Sequence, residues 1–267
     1  MLPVDRVAQL ALRLYRARKG RSQVPQFSRE LPDLSIEDAY AIQSEWVRLE
    51  CSDGRRIRGY KVGLTSRALQ LALQATEPNY APLMDDTFFE SGNDIRAAGF
   101  IAPRVEVELA FVLERSLRGP GITVDAVLRA TAYVTPALEI IDARIEQFDR
   151  ETRQPRKLVD VICDLGAAAG VVLGTERVKP GTLDLRWTGA ILYKNDLIEE
   201  TGLGAAVLGS PALSIAWLAN KVSADQRGLE AGDVLLAGSF TKPVAAARDD
   251  VLRADYGPLG CLSFKLT

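Results

Sequence analysis

The chain has 267 residues and a formal net charge of −2, from 33 basic and 35 acidic residues. This balance excludes the strongly positive field typical of nucleic-acid or anionic-membrane binding, and no apolar run approaches the ~20 residues of a membrane span. The three cysteines, Cys51, Cys163 and Cys261, are widely spaced, so they form neither a disulfide framework nor a zinc pattern. Because the N-terminus also lacks a signal-peptide pattern, the sequence predicts a soluble cytoplasmic protein that binds neither nucleic acid nor membrane.

The chain contains no histidine, and this absence restricts its chemistry. It excludes Ser-His and Cys-His nucleophilic pairs, histidine-ligated zinc and histidine general bases. Any acid–base step would therefore use Asp, Glu, Lys, Tyr or ordered water. A metal held by side chains would have mainly oxygen ligands, which favours Mg²⁺, Mn²⁺ or Ca²⁺.

Residues 1–80 are predicted to form a mostly helical layer. Apolar residues recur at helical spacing from Val7 to Leu14, and a capping-box pattern begins at Ser35. The predicted elements are a helix around 7–14, a helix at 35–49, a strand at 57–62 and a helix that begins at Thr65 or Ser66. The helix at 35–49 would place Trp46 on its inward face.

Residues 81–267 are predicted to form a β-rich core. Strand-like runs lie at 105–113, 132–141, 169–173, 185–193, 234–240 and 262–266, and the charged stretch 149–157 is an exposed loop. One clear helix, from Ser210 or Pro211 to about Lys221, interrupts the strands, so the regular alternation of a Rossmann or TIM fold is absent. The sequence predicts a single α+β domain over 1–267, with the helical layer against a larger, mixed and curled sheet.

Two acidic residues interrupt the most apolar of these strands. Glu106 and Glu108 are two residues apart, so on a strand they project from the same face, about 6.5–7 Å apart along the chain. A solvent-facing edge is one interpretation. However, Ala110 and Val112 continue the same face as apolar, and two carboxylates on a dry face would repel each other unless a cation lay between them. The segment is compatible with either a solvated edge or a metal site.

A second apolar strand ends in Glu139, which Asp142 follows. Taken alone, Glu139 fits a surface acid at the end of a strand. Together with Glu106 and Glu108, it would complete a set of three carboxylates from two buried strands. Such an oxygen site with open positions is the usual arrangement for Mg²⁺ bound jointly with a chelating substrate.

Three further residues are candidates for contact with a substrate. Lys61 lies in a predicted strand between two glycines, where a half-buried lysine near a metal could have a lowered pKa. It could then carry a proton, or pair with a substrate carboxylate. Thr241 and Lys242 directly follow a predicted strand and could face a cleft. The alternatives are a surface lysine and an ordinary turn before Pro243.

Seven segments of the chain resemble one known family. They are, in order, GYKVGLTSRALQ, LMDDTFF, PRVEVELAFVL, PALEIIDARI, LDLRWTGAILYKN, SPALSIAWLANK and AGSFTKPVAA. Over nearly the whole chain they resemble the hydratase/decarboxylase branch of the fumarylacetoacetate hydrolase superfamily. The resemblance implies the mixed β-roll fold of that superfamily and, since its members are usually oligomeric, a homo-oligomer.

The resemblance also implies roles for particular residues. Glu106, Glu108 and Glu139 would hold Mg²⁺ (or Mn²⁺), and Lys61 would act in acid–base chemistry or contact a substrate carboxylate. The implied reaction is hydration of a small 2-oxo-enoate dicarboxylate. Hydrolases of the family rely on a histidine, which this chain lacks, so ester or C–C hydrolysis of their type is disfavoured.

Two departures from the family pattern concern the site. The chain has EPNYA where the family commonly has EPDYG, so Asn79 replaces an acid that resembles a proton-transfer group. It also has DLGAAAG where the family commonly has an Asp-Asn pair and a small polar residue. Leu165 and Ala168 therefore lose polar contacts that could orient water or substrate.

Four residues complete the predicted site. A water held by Asn79 or Thr65 would be the nucleophile, and Arg67 or Arg144 would contact the distal carboxylate of a seven-carbon diacid. Two other functions stay open. One is decarboxylation of a related dicarboxylate such as 4-oxalocrotonate, which needs no positioned water. The other is a non-catalytic subunit that partners an active homologue.

Overall fold

The structure is a computed structural model that describes residues 1–224 and 228–267, with only the backbone described at residue 224. The helices are α1 (Val4–Gly20), α2 (Phe27–Glu30), α3 (Ile36–Ser52), α4 (Arg67–Ala72), α5 (Val124–Ala130), α6 (Leu158–Cys163) and α7 (Pro211–Ala224). The strands are β1 (Ile57–Gly63), β2 (Asn79–Met84), β3 (Phe88–Glu90), β4 (Asp94–Ile95), β5 (Arg104–Leu113), β6 (Thr131–Ile141), β7 (Ala168–Leu173), β8 (Gly189–Lys194), β9 (Leu197–Leu203), β10 (Val234–Leu236), β11 (Val244–Ala245), β12 (Val251–Asp255) and β13 (Cys261–Leu266). Helices and mixed sheets confirm the predicted α+β class.

The N-terminal helices pack on an apolar cluster of their own. α3 begins at the predicted capping box, in which the Ser35 hydroxyl accepts a hydrogen bond from the Asp38 N–H and the Asp38 carboxylate accepts one from the Ser35 N–H. Trp46 is fully buried, as predicted. The cluster includes Leu10, Leu14, Phe27, Ile42, Trp46, Ile145 and Ile162. It therefore joins α1 and α3 to α6.

Within residues 1–224 and 228–267, no helix has the length and apolar character of a membrane span.

Two mixed sheets form the β-rich part of the chain. The larger sheet has the strand order β2-β1-β10-β5-β6-β7-β3, with β11 also paired to β5, and the smaller one has the order β4-β13-β12-β8-β9. The largest apolar cluster joins both sheets to α7, and its members include Phe111, Ile215 and Phe264. Although β1 lies within the first 80 residues, it pairs with β10 from the C-terminal part. Residues 1–80 thus contribute to the same sheet as the β-rich core.

Most long strands agree with the sequence prediction, and two do not. The strands at 105–113, 132–141, 169–173 and 262–266 and the helix after Ser210 are all confirmed, each with its first residue placed within one position. The predicted strand 185–193 is wrong at its start, because the Asp184 side chain accepts a hydrogen bond from the Arg186 N–H and caps a 3₁₀ turn. The predicted strand 234–240 ends early, because Gly238 has a φ of 113° and gives its N–H to a side chain of β5. The sequence did not predict α2, α5, α6, β2, β3, β4, β9, β11 or β12.

Candidate active site

Glu106, Glu108 and Glu139 meet on one face of the antiparallel β5–β6 pair. Glu106 lies directly opposite Glu139 in the register, and Glu108 follows two residues later on the same face. One carboxylate oxygen from each residue lies within 4.8 Å of the other two. The strand register therefore brings together the three residues that the sequence suggested as metal ligands.

The three carboxylates lie in a poorly solvated place. Glu108 and Glu139 are buried, and Glu106 is half-buried. Burial, together with the neighbouring charge of Glu139, raises the pKa of Glu106 to about 7 and raises the pKa of Glu108 well above its usual range. Like charges directly opposite each other on two strands are destabilising. The carboxylate cluster is therefore unfavourable unless a cation compensates it.

One cation from the protein, Lys61, reaches this cluster from β1. Its Nζ lies 3.1 Å from Glu139 Oε2 and donates a hydrogen bond to the Gly166 carbonyl at 3.2 Å. Burial acts to lower the pKa of Lys61, but attraction to Glu139, Glu106 and Glu108 raises it above its usual range. Among the protein's own groups the pKa of Lys61 is thus raised, which favours the ammonium form, and a lowered pKa beside a bound metal ion stays a prediction.

The donor set fits a divalent cation. With all groups ionised, the single charge of Lys61 leaves two negative charges of the glutamate cluster uncompensated. Both oxygens of the Glu139 carboxylate are buried; Oε2 is paired with Lys61 Nζ, and Oε1 has no hydrogen-bond partner among the described residues. Three carboxylates without a nitrogen or sulfur ligand suit Mg²⁺, Mn²⁺ or Ca²⁺.

A strained turn after α6 holds the carbonyl that Lys61 binds. Leu165, Gly166 and Ala167 have φ values of 51°, 57° and 65°, in the left-handed region that residues other than glycine rarely adopt. The Ala167 N–H donates a hydrogen bond to the Asp164 carbonyl at 2.8 Å and closes the turn. Strain of about 1–3 kcal/mol for each such residue persists only where the surrounding structure enforces it, often at functional sites.

Asn79, at the start of β2, presents an unpartnered amide beside this turn. Its side chain is buried, and neither Oδ1 nor Nδ2 has a hydrogen-bond partner among the described residues. Asn79 pairs with Gly63 in the β1–β2 register, and a Cβ at Gly63 would lie 2.3 Å from Asn79 Oδ1, so a larger residue there would displace the amide. Leaving a buried donor and acceptor unpaired is costly, so the amide is suited to bind water or a polar ligand group.

The chain after β10 supplies the contacts to Glu108 and to the middle of β5. The Gly238 N–H donates a hydrogen bond to Glu108 Oε2 at 2.8 Å. A Cβ at Gly238 would lie 2.5 Å from Thr65 Oγ1, so this glycine allows Thr65 to pack closely against the segment. The Thr241 hydroxyl accepts a hydrogen bond from the Val107 N–H at 3.2 Å, between the two glutamates of β5.

These groups surround one cavity of about 440 Å³, a size suited to a small metabolite. Seven of the predicted site residues line it: Lys61, Thr65, Asn79, Glu106, Glu108, Thr241 and Lys242. Glu139 is fully buried next to Glu106 and Glu108. The structure thus brings together eight predicted site residues that belong to five separate segments of the chain.

Neither of the two arginines predicted to contact a distal carboxylate lines this cavity. Arg67 is exposed at the start of α4. Arg144 is buried, with its Nε 2.7 Å from Asp164 Oδ1 and its other nitrogens bound to the carbonyls of Asp142, Asp164 and Ala168. Arg144 therefore stabilises the chain behind the cavity, and all of its guanidinium nitrogens are used there.

Arg156, Glu200 and Thr201 also line the cavity, although the sequence did not single them out. Arg156 belongs to the predicted loop 149–157, which is largely exposed as expected, but its own side chain is only 14% exposed. Glu200 and Thr201 lie on β9, whose sequence LIEETGL does not alternate between polar and apolar residues. For Arg156 no local signal exists, because nothing in a basic loop marks which arginine turns inward.

Comparison with known proteins agrees with this geometry. The model of the family described as fumarylacetoacetate (FAA) hydrolase C-terminal matches residues 60–267, from within β1 to the end of the chain. The chain belongs to the fumarylacetoacetate hydrolase family. Every residue that lines the cavity lies within the matched range, whereas α1, α2 and α3 lie outside it.

Relatives in the fumarylacetoacetate hydrolase family align along nearly the whole chain. The 2-oxo-hept-4-ene-1,7-dioate hydratase of Escherichia coli is 52% identical over 254 residues, which are 95% of each chain. The 2-hydroxyhexa-2,4-dienoate hydratase of Comamonas testosteroni is 35% identical, over 96% of this chain and 95% of that protein. The structure of 4-oxalocrotonate decarboxylase from Pseudomonas putida G7, complexed with magnesium and adipate, matches with a TM-score of 0.94 at 30% identity, over 100% of this chain and 99% of that one. The predicted family and fold are confirmed.

Proposed function

We propose that the protein is a metal-dependent hydratase of a 2-oxo-enoate dicarboxylate. The reaction would convert 2-oxohept-4-ene-1,7-dioate into 4-hydroxy-2-oxoheptane-1,7-dioate in the catabolism of aromatic compounds. The observation that carries the proposal is the glutamate cluster beside Lys61 and the unpartnered Asn79 amide in one cavity. The 52% identity to a hydratase named for this substrate supports the choice of reaction.

Glu106, Glu108 and Glu139 would hold the metal ion, which we propose to be Mg²⁺, with Mn²⁺ as the alternative. When bound, such an ion supplies Lewis-acid polarisation of a 2-oxo carboxylate. The magnesium and calcium complexes of a decarboxylase at 30% identity support a hard divalent ion. The three glutamates otherwise repel one another, so their own electrostatics favour a dication at this position.

Lys61 would be the proton carrier. A proton shift from C3 to C5 first converts the 4-ene into the conjugated 2-oxo-3-ene. Water then adds at C4, and the proton that balances the addition goes to C3. Glu139 and the Gly166 carbonyl engage two of the three N–H groups of the Lys61 ammonium, so one N–H remains for the substrate. The proton lost by the attacking water restores the ammonium.

Asn79 and Thr65 would orient the attacking water. The Asn79 amide offers one unused acceptor and one unused donor group next to Lys61. Unlike a carboxylate, an amide does not take up the proton that the water releases, so that proton has to reach Lys61. Thr241 and Lys242, which line the same cavity, would contact the substrate from the chain that follows β10.

We also propose that the protein is a cytoplasmic homo-oligomer. Trp187, Leu197 and Ile198 have relative exposures of 73%, 70% and 62%, and exposed apolar side chains of this size are typical of surfaces that bind another protein chain. Light scattering on the purified protein should report a multiple of the 29.1 kDa chain mass. A mass equal to a single chain at micromolar concentration would contradict this part of the proposal.

Decarboxylation of a related dicarboxylate is the second candidate function. The similarity to the 4-oxalocrotonate decarboxylase structure, with a TM-score of 0.94 over the full chain, favours it. Asn79 favours it too, because loss of CO₂ needs neither a positioned water nor a base at that place. The glutamate cluster and its metal would serve both reactions.

One experiment separates the candidates. The purified protein is incubated with Mg²⁺ and the enzymatically generated dienol while dienol absorbance and CO₂ release are followed. Loss of the dienol without CO₂ supports the hydratase, whereas CO₂ release supports the decarboxylase. If calorimetry shows metal binding but neither product forms, the non-catalytic subunit is supported instead.

A further inference from the structure

Arg156 differs from the other cations of the cavity wall in how it is enclosed. Among the described residues, the cations that line the cavity are Lys61, Arg156 and Lys242. Lys61 is committed to the glutamate cluster, and Lys242 is exposed. The Arg156 side chain is 14% exposed, and a shielded guanidinium binds a carboxylate through two parallel hydrogen bonds more strongly than an exposed ammonium does.

The protein uses only part of the Arg156 guanidinium. Its Nη1 donates a hydrogen bond to Asp164 Oδ2 at 3.0 Å, and no other salt bridge of Arg156 is found in the described part of the chain. Asp164 is already bound by Arg144, whose Nε lies 2.7 Å from Oδ1, and by the backbone N–H groups of Arg144 and Ile145. One carboxylate therefore serves two guanidinium groups, and part of the Arg156 guanidinium stays available at the cavity wall.

The neighbouring acids do not complete the pairing of Arg156. Asp160, in α6, accepts hydrogen bonds from the Ser28 N–H and hydroxyl and from the Lys157 N–H, so both of its oxygens are occupied. Glu200, on β9, lines the same cavity but makes no salt bridge with Arg156. A substrate carboxylate is consequently attracted to Arg156 and repelled by Glu200, which defines where in the cavity it would bind.

Arg156, Glu106 and Glu108 line the same cavity, which has a volume of about 440 Å³. Asp164 anchors Arg156, and Gly166, two residues later, accepts the hydrogen bond from Lys61. An extended seven-carbon diacid has its two carboxylate carbons roughly 7–8 Å apart. A 2-oxo acid bound at the glutamates can therefore extend its other end toward Arg156.

We propose that Arg156 binds the carboxylate at the far end of the substrate and so selects dicarboxylates over monocarboxylates. Arg156 takes the place that the sequence assigned to Arg67 or Arg144. Arg144 instead acts as a positioning residue, because it holds the Asp164 carboxylate that orients Arg156. This role rests on the proposed function as a hydratase of a 2-oxo dicarboxylate, and it names the residue that recognises the second charge.

The kinetic test compares two substrates in four proteins. The substrates are the seven-carbon dienol diacid and 2-hydroxypenta-2,4-dienoate, which lacks the second carboxylate. The proteins are the wild type, Arg156→Gln, Arg156→Lys and the control Arg153→Gln. Arg153 lies in the same loop, stacks on the Phe148 ring and does not line the cavity, so its substitution controls for the loss of one positive charge.

We expect Arg156→Gln to lower kcat/KM for the diacid roughly 30- to 1000-fold, mainly through KM, and to affect the five-carbon substrate at least tenfold less. Arg156→Lys should recover part of the loss, because it keeps the charge but not the two-donor geometry. Equal losses on both substrates would overturn the proposal, since Arg156 would then act only through Asp164. A selective loss for the diacid in Lys242→Gln, with none in Arg156→Gln, would overturn it as well.

A binding measurement separates failure of this inference from failure of the proposed function. Metal-loaded protein is titrated calorimetrically with 2-oxoheptanedioate and with its monoacid counterpart 2-oxoheptanoate, neither of which has to be turned over. A wild-type preference for the diacid that Arg156→Gln abolishes supports the role of Arg156, even where no hydration is observed. A preference that persists in Arg156→Gln, or no preference in the wild type, overturns it. Both variants are expected to fold, since Asp164 keeps Arg144 and two backbone N–H groups.

Discussion

Two clusters of buried charged groups adjoin the cavity, and they differ in the kind of group that the protein leaves available for a ligand. In the glutamate cluster of β5 and β6, three carboxylates face the single ammonium of Lys61. In the cluster around Asp164, two guanidinium groups and two backbone N–H groups surround one carboxylate. The first cluster has more carboxylates than cations, whereas the second leaves guanidinium N–H groups of Arg156 without a salt-bridge partner among the described residues.

This difference indicates what each cluster binds. Buried charge is costly unless it is paired, so the charge that the protein leaves unpaired predicts the charge of the ligand. The carboxylates of the glutamate cluster would bind a dication. The Arg156 guanidinium of the Asp164 cluster would bind an anion on the cavity side. A metal-bound 2-oxo acid with a second carboxylate supplies both charges: the metal ion is the dication, and the second carboxylate is the anion. The four predictions that follow perturb one cluster while the other serves as the reference.

Removal of a carboxylate from the glutamate cluster should have the largest effect. We expect Glu139→Gln to lower metal-dependent turnover by at least about 10³-fold, because it removes a buried oxygen ligand while keeping the side-chain shape. Turnover and calorimetric Mg²⁺ affinity are the measurements. Glu114→Gln, at the exposed residue directly after β5, is the matched control. Undiminished activity in a Glu106→Gln/Glu108→Gln double variant would contradict the assignment of the site.

Lys61→Met should have the next largest effect. Loss of the proton carrier should lower kcat about 10²- to 10⁴-fold with a smaller change in KM. Mg²⁺ affinity should be kept or increased, because a competing positive charge beside Glu139 disappears. Pre-steady-state turnover and metal titration test the two parts separately. Wild-type kcat in this variant would show that another group carries the proton.

Asp164→Asn should act mainly by lowering the free energy of unfolding. Removal of the carboxylate leaves Arg144 and Arg156 without their shared counter-charge, and the loss of one partner from a buried pair costs about 3–5 kcal/mol of unfolding free energy. Urea denaturation of the metal-free protein measures this. Asp184→Asn, which breaks the exposed pair with Arg186, should change the unfolding free energy by less than about 1 kcal/mol. Equal effects of the two substitutions would contradict the importance of burial.

The smallest effect is a pH dependence of the metal-free protein. The pKa of Glu106 is about 7 in the folded chain against its ordinary 4.5, so the folded protein retains a proton that the unfolded chain has released between these values. The contribution of Glu106 to stability therefore falls as pH rises from about 4.5 to 7, by about 1–2 kcal/mol for a half-buried group. Urea denaturation in EDTA at pH 5 and pH 8 should show this fall.

Two further measurements identify which groups cause this pH dependence of the unfolding free energy. Glu106→Gln should reduce the difference between pH 5 and pH 8, because the substituted side chain does not titrate, and Glu108, whose pKa is also raised, accounts for the remainder. Excess Mg²⁺ should oppose the loss of stability at pH 8 in the wild type, since a bound cation favours the ionised carboxylates. An unchanged pH difference in Glu106→Gln would assign the effect to other groups.

Local patterns in the sequence were sufficient for some parts of the site. Strand periodicity placed Glu106 and Glu108 on one face, and the capping box at Ser35 located the start of α3. Both are predictable because backbone geometry within a few residues decides them. The direct pairing of Glu106 with Glu139 was not predictable in this way, because a register depends on how two distant strands pair.

The arginines show the limit of local patterns. Arg144 lies next to a predicted strand and Arg156 in a charged loop, and the sequence suggested Arg67 or Arg144, not Arg156, as the residue that contacts the distal carboxylate. In the structure, the left-handed turn at 165–167 brings Asp164 between them, with Arg144 behind the carboxylate and Arg156 on its cavity side. Neither the turn nor the shared carboxylate has a signature in the chain around either arginine.

The sequence by itself determined the kind of chemistry and the direction of the acidic side chains. The absence of histidine left oxygen ligands and a lysine for the site, and alternation along a strand set the face on which they project. Only the tertiary structure decided which charges remain uncompensated and which arginine reaches the cavity. The reason is physical: alternation follows from a backbone repeat of two residues, whereas burial and charge balance depend on segments far apart in the chain that pack together.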